Sequence, residues 1–600
     1  MNPRFAPPPP ASSRRGQGPN PRKRLLLVIA VLVLASTGLV VRAVDLQVIR
    51  KQFYLDQGDA RFLREVPIQV SRGTIFDRNG VPLAVSTPVV SIWANPAELL
   101  QHADRLPALA KALDVDAGDL AGKLQERSGR EFVYLRRQMS PDAAQDVLGL
   151  NIPGVNSQRE YKRYYPSGAV MAHVLGFTNI DDHGQEGLEL AYDAWLAGKP
   201  GEKRVIRDRL GHTVENVEQV RAPVPGHDLT LSIDSRIQYL AYTSLAQAIA
   251  AHHASSGSMV ILDVPTGEIL AMVNVPSYNP NALDGSTPAA RRNRAVTDVV
   301  EPGSTMKAFT VATALESGKW TPTTPIDTSP GSFEVGGHII RDTHDHGMID
   351  VTHMITYSSD VGAAKISLTL TAEQMRDLLH RFGFGQNTGS GFPGESPGYL
   401  PVAHKWGTLE KATIAYGYGL NVTPLQIARG YAGIATGGRV RETSFVKGAD
   451  NPAYDVLDPR IAHEVLQMLR TVVSPLGTAP DAAIANYTVA GKTGTSHIAS
   501  GGGYADRYFS LFTGVVPYTS PRLVGVVVVT DPGGGKGGSP YYGGLVSAPV
   551  FAQVMTGAMR LLDVPPDNVQ RWYAGGPDLG MDAANKPVTK PEQVEEEVDP

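Results

Sequence analysis

No cysteine occurs anywhere in the 600 residues, so disulfides, thiolate-bound zinc and thiol nucleophiles are excluded together. That absence suits either side of a membrane and does not place the protein. A second absence does: no acidic residue precedes Asp45, while Arg4, Arg14, Arg15, Arg22, Lys23 and Arg24 crowd the same stretch. Positive charge set among Pro, Ser, Gly and Asn predicts a disordered basic arm over residues 1–24. Charge of either sign is then missing from Leu25 to Val41, LLLVIAVLVLASTGLVV. At about 1.5 Å per residue this run is about 26 Å long, or about 30 Å if Arg42 snorkels, so a transmembrane helix over 25–44 is expected. The alternative is a cleaved signal peptide, against which stand the length of the apolar run and the lack of a clean small-x-small cleavage site. Positive charge on the N-terminal side keeps the arm in the cytoplasm and puts everything after residue 45 outside the cytoplasmic membrane.

Other absences narrow the chemistry. A net charge of −4 argues against a nucleic-acid partner. His344 and His346, in RDTHDHG, have neither an HExxH pattern nor a carboxylate cluster to complete a metal site, and they are read as solvated loop residues, as are His252 and His253. Gly491-Lys492-Thr493 resembles the end of a P-loop, but the first glycine that loop needs would fall at Asn486. GGGKGG at 533–538 has the composition of a flexible loop. No metal and no cofactor are expected.

What is present suits a large folded protein. Hydrophobic residues make up 42% and charged residues 19%, enough to bury a core, and 600 residues imply at least two domains. Residues 45–225 mix turn signals with helical stretches such as PALAKALDVDAGDLAGKLQER and read as a spacer or docking domain. Pro, Pro and Gly in VRAPVPGHD mark a boundary, after which LTLSID alternates like a strand. SGSMVILDVPTGEILAMVNV reads as a hairpin, and FSLFTGVV and RLVGVVVVTD supply β-rich runs at the far end, with helices between. Strands from both ends enclosing helices predict an α+β domain over 226–565 whose sheet is closed by its termini. Residues 566–600, Pro-rich and ending PEQVEEEVDP, read as a disordered acidic tail.

Within that domain, EPGSTMKAFT places Ser304 and Lys307 three positions apart after a Pro-Gly turn. On a helix, positions i and i+3 face the same way. A serine needs a base beside it to become a nucleophile, and lysine can be that base only if its pKa falls by about 3 units, or roughly 4 kcal/mol. Alone the pair is a weak signal, but two segments offer partners. YSSDVGAAKISL puts Ser358 and Asp360 at the start of a second helix, and YTVAGKTGTS puts Lys492, Thr493, Gly494 and Thr495 on a strand. Lys492 supplies a second cation, Thr493 and Thr495 offer hydroxyls to a substrate carboxylate, Gly494 permits close approach, and Ser358 is placed to relay a proton.

This trio of S-x-x-K, S-x-N-like and K-T-G segments resembles the penicillin-binding proteins and serine β-lactamases. With RGTIFDRNG (72–80), EGLELAYDAWLAG (186–198), LDVPTGEILAM, NRAVTDVVEPGSTMK and AYGYGLNVTPLQIARGYAGIATGG (415–438), the chain is most similar to the class B penicillin-binding proteins and, among them, to the division-specific peptidoglycan transpeptidases. The resemblance covers roughly 25–560. It implies a pedestal domain over 45–225 and a penicillin-binding transpeptidase domain after it. It also implies Ser304 as acylated nucleophile, Lys307 as its base, Ser358 as proton shuttle, Lys492 with Thr493 and Thr495 holding the donor carboxylate, and backbone N–H groups of Ser304 and Thr495 as the oxyanion hole. Implied ligands are D-Ala-D-Ala stem peptides, an acceptor amine and β-lactams; implied partners are a membrane-embedded glycan polymerase and other division proteins. Asp360 departs from the family's asparagine. An ionised carboxylate has no proton to donate and favours the charged form of Lys307, so Asp360 is expected either to be protonated or to turn and accept hydrogen bonds from the lysines. A serine β-lactamase, a β-lactam sensor and a structural division protein with a decayed site share the trio and stand as alternatives.

Overall fold

The computed structural model describes residues 21–51, 63–207, 213–533 and 540–568. The arm before residue 21, most of the GGGKGG loop and the acidic tail after residue 568 lie outside the described residues. Helix α1 (Pro21–Val44) is continuous and runs on through a π-helical turn at Asp45–Ile49. It takes in Pro21–Arg24, which the charge pattern alone assigned to the arm. Among the described residues it is the helix long and apolar enough to cross a membrane. Its leucines and valines are exposed, a surface for which hydrocarbon rather than water is the favourable solvent.

By packing, the chain forms two compact units, one of Met1–Gln69, Val90–Glu160 and Pro200–Val224, the other of Val70–Val89, Tyr161–Lys199 and Pro225–Pro600. The second unit is α+β. Its central sheet comprises β1 (Ser256–Asp263), β2 (Ile269–Val275), β3 (Ala490–Ser500), β4 (Gly503–Val516) and β5 (Leu523–Thr530). The spatial order is β2-β1-β5-β4-β3, antiparallel throughout. The hairpin expected from sequence is β1–β2, the two β-rich runs of the far end pair as β4–β5, and the chain's return is the β1–β5 pairing, in which Ser256 opposes Thr530. By contrast LTLSID yields only the two-residue strand Leu229–Thr230. The apolar runs of β1 and β5 are buried almost without interruption, as expected of strands covered by helices.

Those helices are α2 (Ser235–Ala251), α3 (Lys307–Glu316), α4 (Val351–Tyr357), α5 (Asp360–Leu368), α6 (Pro424–Ala435) and α7 (Gly543–Leu561). Helix α2 packs against α7 and β2, and α6 against β1, β4 and β5. Helix α3 is apolar on nearly every side and buried from Lys307 to Leu315, the mark of a central helix. Phe309 anchors it, meeting the rings of Phe382, Phe384 and Tyr431 edge-on at 5.1, 5.0 and 5.7 Å. The start of α3 is therefore held by an aromatic cluster of the core.

Two stretches far apart in sequence meet in this unit. Arg72, from RGTIFDRNG, donates from Nε to Glu189 Oε2 and from Nη1 to Asp193 Oδ1, each at 2.6 Å, and from Nη2 to the Glu189 carbonyl at 2.7 Å. Arg163 Nε donates to the other Glu189 oxygen at 2.6 Å. The Arg72 and Glu189 side chains are fully buried. Two carboxylates, Glu189 and Asp193, thus balance two guanidiniums, with Glu189 shared between them, the condition under which buried charge is tolerated.

The first unit has a three-stranded antiparallel sheet of Leu63–Ile68, Gly201–Arg207 and Thr213–Arg221. It also has helices at Leu106–Leu113, Ala117–Glu126 and Pro141–Leu148, whose apolar faces close over a core including Ile92, Leu99, Leu109, Leu113, Leu124 and Val147.

Candidate active site

The Pro302-Gly303 turn works as its sequence suggests, with one refinement. Gly303 has φ +55°, and Gly303–Met306 form a 3₁₀ turn before α3 begins at Lys307. Ser304 therefore sits on the tighter turn and Lys307 on the first α-helical position. Four contacts pin this turn. Gly303 N donates to Gly417 O at 3.2 Å, Tyr431 OH to Thr305 O at 2.7 Å, Thr305 Oγ1 to Pro302 O at 2.8 Å, and Ser496 Oγ to Glu301 O at 2.6 Å. Gly417, itself at φ +90°, leaves so little room that an added Cβ would stand 2.0 Å from Gly303 O.

Ser358 lies between α4 and α5, in the left-handed region at φ +63°, a conformation that costs a non-glycine residue about 1 kcal/mol or more. Strain of this kind persists only where surrounding contacts impose it, and here they are polar. Lys307 Nζ donates to Ser358 O and, at 3.2 Å, to Ser358 Oγ. Lys492 Nζ lies 2.8 Å from the same Oγ. Ser358 thus bridges the two lysines of the motifs.

Both lysine side chains are wholly buried, but their surroundings differ. Lys307 Nζ is 2.6 Å from Asp360 Oδ1, a carboxylate on the first residue of α5 that keeps about a third of its side chain exposed. Lys492 has Ser358 Oγ at 2.8 Å, Thr493 O at 3.3 Å and Thr493 Oγ1 at 3.4 Å. Burial first, then the charge of Lys307, holds the Lys492 ammonium well below the usual lysine range, with Asp360 opposing.

The Lys492–Thr495 segment lies on β3, as its sequence predicts. Thr493 Oγ1 is 2.8 Å from Thr478 Oγ1, and Thr495 Oγ1 accepts from Gly543 N at 3.2 Å. Gly494 packs against the Ser304 turn so closely that a Cβ there would stand 2.8 Å from Pro302 O. Ser304, Ser358, Asp360, Thr493 and Thr495 all line one cavity of about 400 Å³.

Three features of this cavity escape the sequence reading. Asp342 accepts from Ser359 Oγ at 2.5 Å, Asp360 N at 2.6 Å and Val361 N at 3.0 Å, so a carboxylate caps α5, where negative charge is favoured. Thr478 extends the row of hydroxyls. His346 is not a solvated loop residue: it lines the cavity, stacks on Tyr357 at 5.1 Å and keeps Nε2 buried without a partner. His346 and Asp342 share the polar run RDTHDHG, but nothing in the sequence ties Asp342 to a serine 17 residues later.

Comparison with known proteins gives a consistent result. Residues 257–556 match the penicillin-binding protein transpeptidase domain, and residues 67–231 match the penicillin-binding protein dimerisation domain. The chain is 42% identical over 546 residues to a probable peptidoglycan D,D-transpeptidase, PbpC, of Pseudomonas aeruginosa, covering 90% of this chain and 96% of that one. It is likewise 42% identical to the peptidoglycan D,D-transpeptidase FtsI of Escherichia coli K12, covering 89% and 91%. Among solved structures, the apo transpeptidase domain of Burkholderia pseudomallei penicillin-binding protein 3 is 40% identical with a TM-score of 0.51, over 56% of this chain and 97% of that one.

Proposed function

The chain belongs to the class B penicillin-binding proteins, with their dimerisation and transpeptidase domains, and on that premise we propose how its residues carry out D,D-transpeptidation of peptidoglycan. The observation that carries the reading is that Ser304 and Ser358 line one cavity while Lys307 and Lys492, from separate segments, both reach the Ser358 hydroxyl. Ser304 is the nucleophile. Its Oγ attacks the carbonyl between the two D-alanines of a donor stem peptide while its proton passes into the Ser358–lysine network. The N–H groups of Ser304 and Thr495 receive the developing oxyanion, a contribution worth about 10²–10³ in rate for each donor. Collapse of the tetrahedral intermediate breaks the C–N bond, the proton goes to the departing D-alanine nitrogen, and the acyl group stays on Ser304. The amine of a neighbouring stem then attacks the ester, forms the cross-link and frees Ser304. Thr493 and Thr495 form the wall that receives the donor carboxylate, with the buried Lys492 behind it, and Gly494 leaves the strand backbone accessible beside it. A β-lactam enters as a donor mimic and stops at the acyl-enzyme.

The apolar helix and the similarity to FtsI are consistent with a single-pass protein of the inner membrane. The charge asymmetry around it supports a cytoplasmic N-terminus and a catalytic domain outside. Similarity to FtsI supports a role in division, with a separate glycan polymerase and other division proteins as partners, and residues 45–225 as the pedestal that reaches them.

The test is cross-linking by the purified full-length protein supplied with a glycan polymerase and lipid-linked precursor, together with mass spectrometry of the penicillin-labelled, digested chain. Cross-links and a single labelled peptide containing Ser304, both lost in Ser304→Ala, are expected. Label on another peptide would overturn the assignment; rapid release of the drug would favour the β-lactamase reading, and acylation without cross-linking the sensor. Protease added outside intact spheroplasts should digest the chain beyond residue 45 and spare the arm, and the reverse pattern would invert the topology.

A further inference from the structure

A second cavity lies within the same compact unit, with a volume of about 520 Å³ and no lining residue in common with the cavity of Ser304. That volume suits a small-molecule site. Much of its wall is apolar, including Leu190, Tyr278 and Phe392, and it also carries Glu186 and Arg291. Arg291 ends the short helix Pro288–Arg291. Its guanidinium sits over the Phe177 ring at 5.8 Å, and its Nε is buried without a hydrogen-bond partner. Among the described residues no carboxylate forms an ion pair with it. An unsatisfied buried donor costs about 1–3 kcal/mol, and such a group calls for a reason. Arg292, the next residue, differs: its Nε and Nη2 fork onto Asp298 at 2.7 and 2.9 Å, so its charge is already balanced.

Glu186 is near enough to Arg291 to feel its charge. Burial, the larger effect, raises the carboxyl pKa, and Arg291 opposes that rise. Both side chains spring from held backbone. A Cβ on Gly176 would stand 1.8 Å from Glu186 O, and the Ala290 carbonyl, beside Arg291, accepts from His173 Nε2 at 2.8 Å. The cavity thus presents a carboxylate and a guanidinium close to one another, not paired, and flanked by apolar surface.

We propose that this cavity binds a free α-amino acid with an apolar side chain, its carboxylate on the Arg291 guanidinium, its ammonium on Glu186 and its side chain against Leu190, Tyr278 and Phe392. The guanidinium fork suits a carboxylate, which can accept two parallel N–H bonds. A zwitterion is favoured over a phosphate because the phosphate dianion would meet Glu186 as well as Arg291 and be repelled by it. The amino acid instead offers each group its opposite charge, and its ammonium favours the ionised form of Glu186.

The test uses full-length protein first acylated with penicillin, which fills the cavity of Ser304. Leucine of either hand is then titrated in, with contact read by saturation-transfer NMR. Leucine should bind. N-acetylleucine, which lacks the ammonium, and leucinamide, which lacks the carboxylate, should each bind at least about tenfold more weakly, the worth of one charged hydrogen bond. Arg291→Gln, at a temperature where its melt shows it folded, should weaken leucine by a similar factor. Equal binding of the acetylated or amidated form, displacement of leucine by inorganic phosphate, or leucine binding unaltered in Arg291→Gln overturns the proposal. So does the lack of any leucine signal, or a signal that disappears on acylation, which would put the ligand in the catalytic cavity. If Arg291→Gln does not fold, the three ligands compared on the wild-type chain decide the matter.

Discussion

Gly494→Ala is a one-methyl perturbation whose effect follows from position alone. The added Cβ would lie 2.8 Å from Pro302 O, 3.0 Å from Thr305 Cγ2 and 3.2 Å from Leu511 Cβ. Heavy atoms rest at about 3.5–4.0 Å, so β3 and the 302–305 turn must part by about 0.5–1 Å. The oxygen belongs to backbone pinned by Tyr431, Ser496 and Gly417, and it cannot swing aside as a long side chain would. Overpacking of this size costs about 1–3 kcal/mol of stability, within the margin of about 5–15 kcal/mol that a folded domain holds. The kinetic cost is larger, because the same separation pulls the Ser304 turn away from the Thr495 N–H, and a misplacement of about 1 Å costs about a hundredfold. Penicillin acylation should therefore slow by about 10–100-fold at a temperature where the variant is still fully folded. Stopped-flow labelling with a fluorescent penicillin, run beside a urea melt, separates the two effects. Gly503→Ala, on the same hairpin with nothing within 4 Å of its Cβ, is the control. Acylation within about twofold of wild type in Gly494→Ala, with the melt unchanged, would refute the reasoning.

Two predictions concern the fold around the site. Glu189→Gln removes the carboxylate shared by Arg72 and Arg163, leaving buried Arg163 without its counterion and Arg72 with Asp193 alone; a loss of about 3–5 kcal/mol is expected by chemical denaturation, and a loss under about 1 kcal/mol would mean that water reaches the cluster. His173 is buried, donating from Nε2 to Ala290 O at 2.8 Å, and burial lowers its pKa to about 4. Above pH 6.5 it is neutral both folded and unfolded. Below that the unfolded chain gains a proton the folded chain refuses, so stability should fall between about pH 6.5 and 4 by roughly 3 kcal/mol. His173→Gln should flatten that decline in urea midpoints measured at pH 7 and 4.5, and an equal decline in both proteins would assign the acid sensitivity elsewhere.

What could be read from the sequence, and what could not, divides by distance along the chain. Ser304 and Lys307 are recognisable as a pair by their spacing of three after a Pro-Gly turn, and Lys492-Thr493-Gly494-Thr495 sits in a run whose pattern already specifies a strand. The α+β class follows from β-rich runs at both ends of one domain. Ser358 was legible as part of a motif, but its left-handed backbone was not, because no glycine or asparagine marks the turn. The ion pair of Arg72 and Glu189 spans 117 positions, and Asp342 reaches Ser359 across 17. Neither has a local periodicity to betray it. Asp360 was visible as a departure, yet which lysine it serves depends on a distance of 2.6 Å that no spacing rule supplies.

The pairing of β1 with β5 has a consequence for how this domain comes into being. Ser256 cannot meet Thr530 until nearly the whole domain has emerged, and contacts of such long range are slow to form. Until then the β1–β2 hairpin presents a bare apolar edge at β1, the kind of template on which chains aggregate. Ser304 and Ser358 are made early but Lys492 arrives late, on β3, which reaches β1 only through β4 and β5. The capacity to be acylated should therefore appear only when the last strand docks, so covalent capture of penicillin, timed after release from denaturant, measures the closing event of folding rather than its beginning.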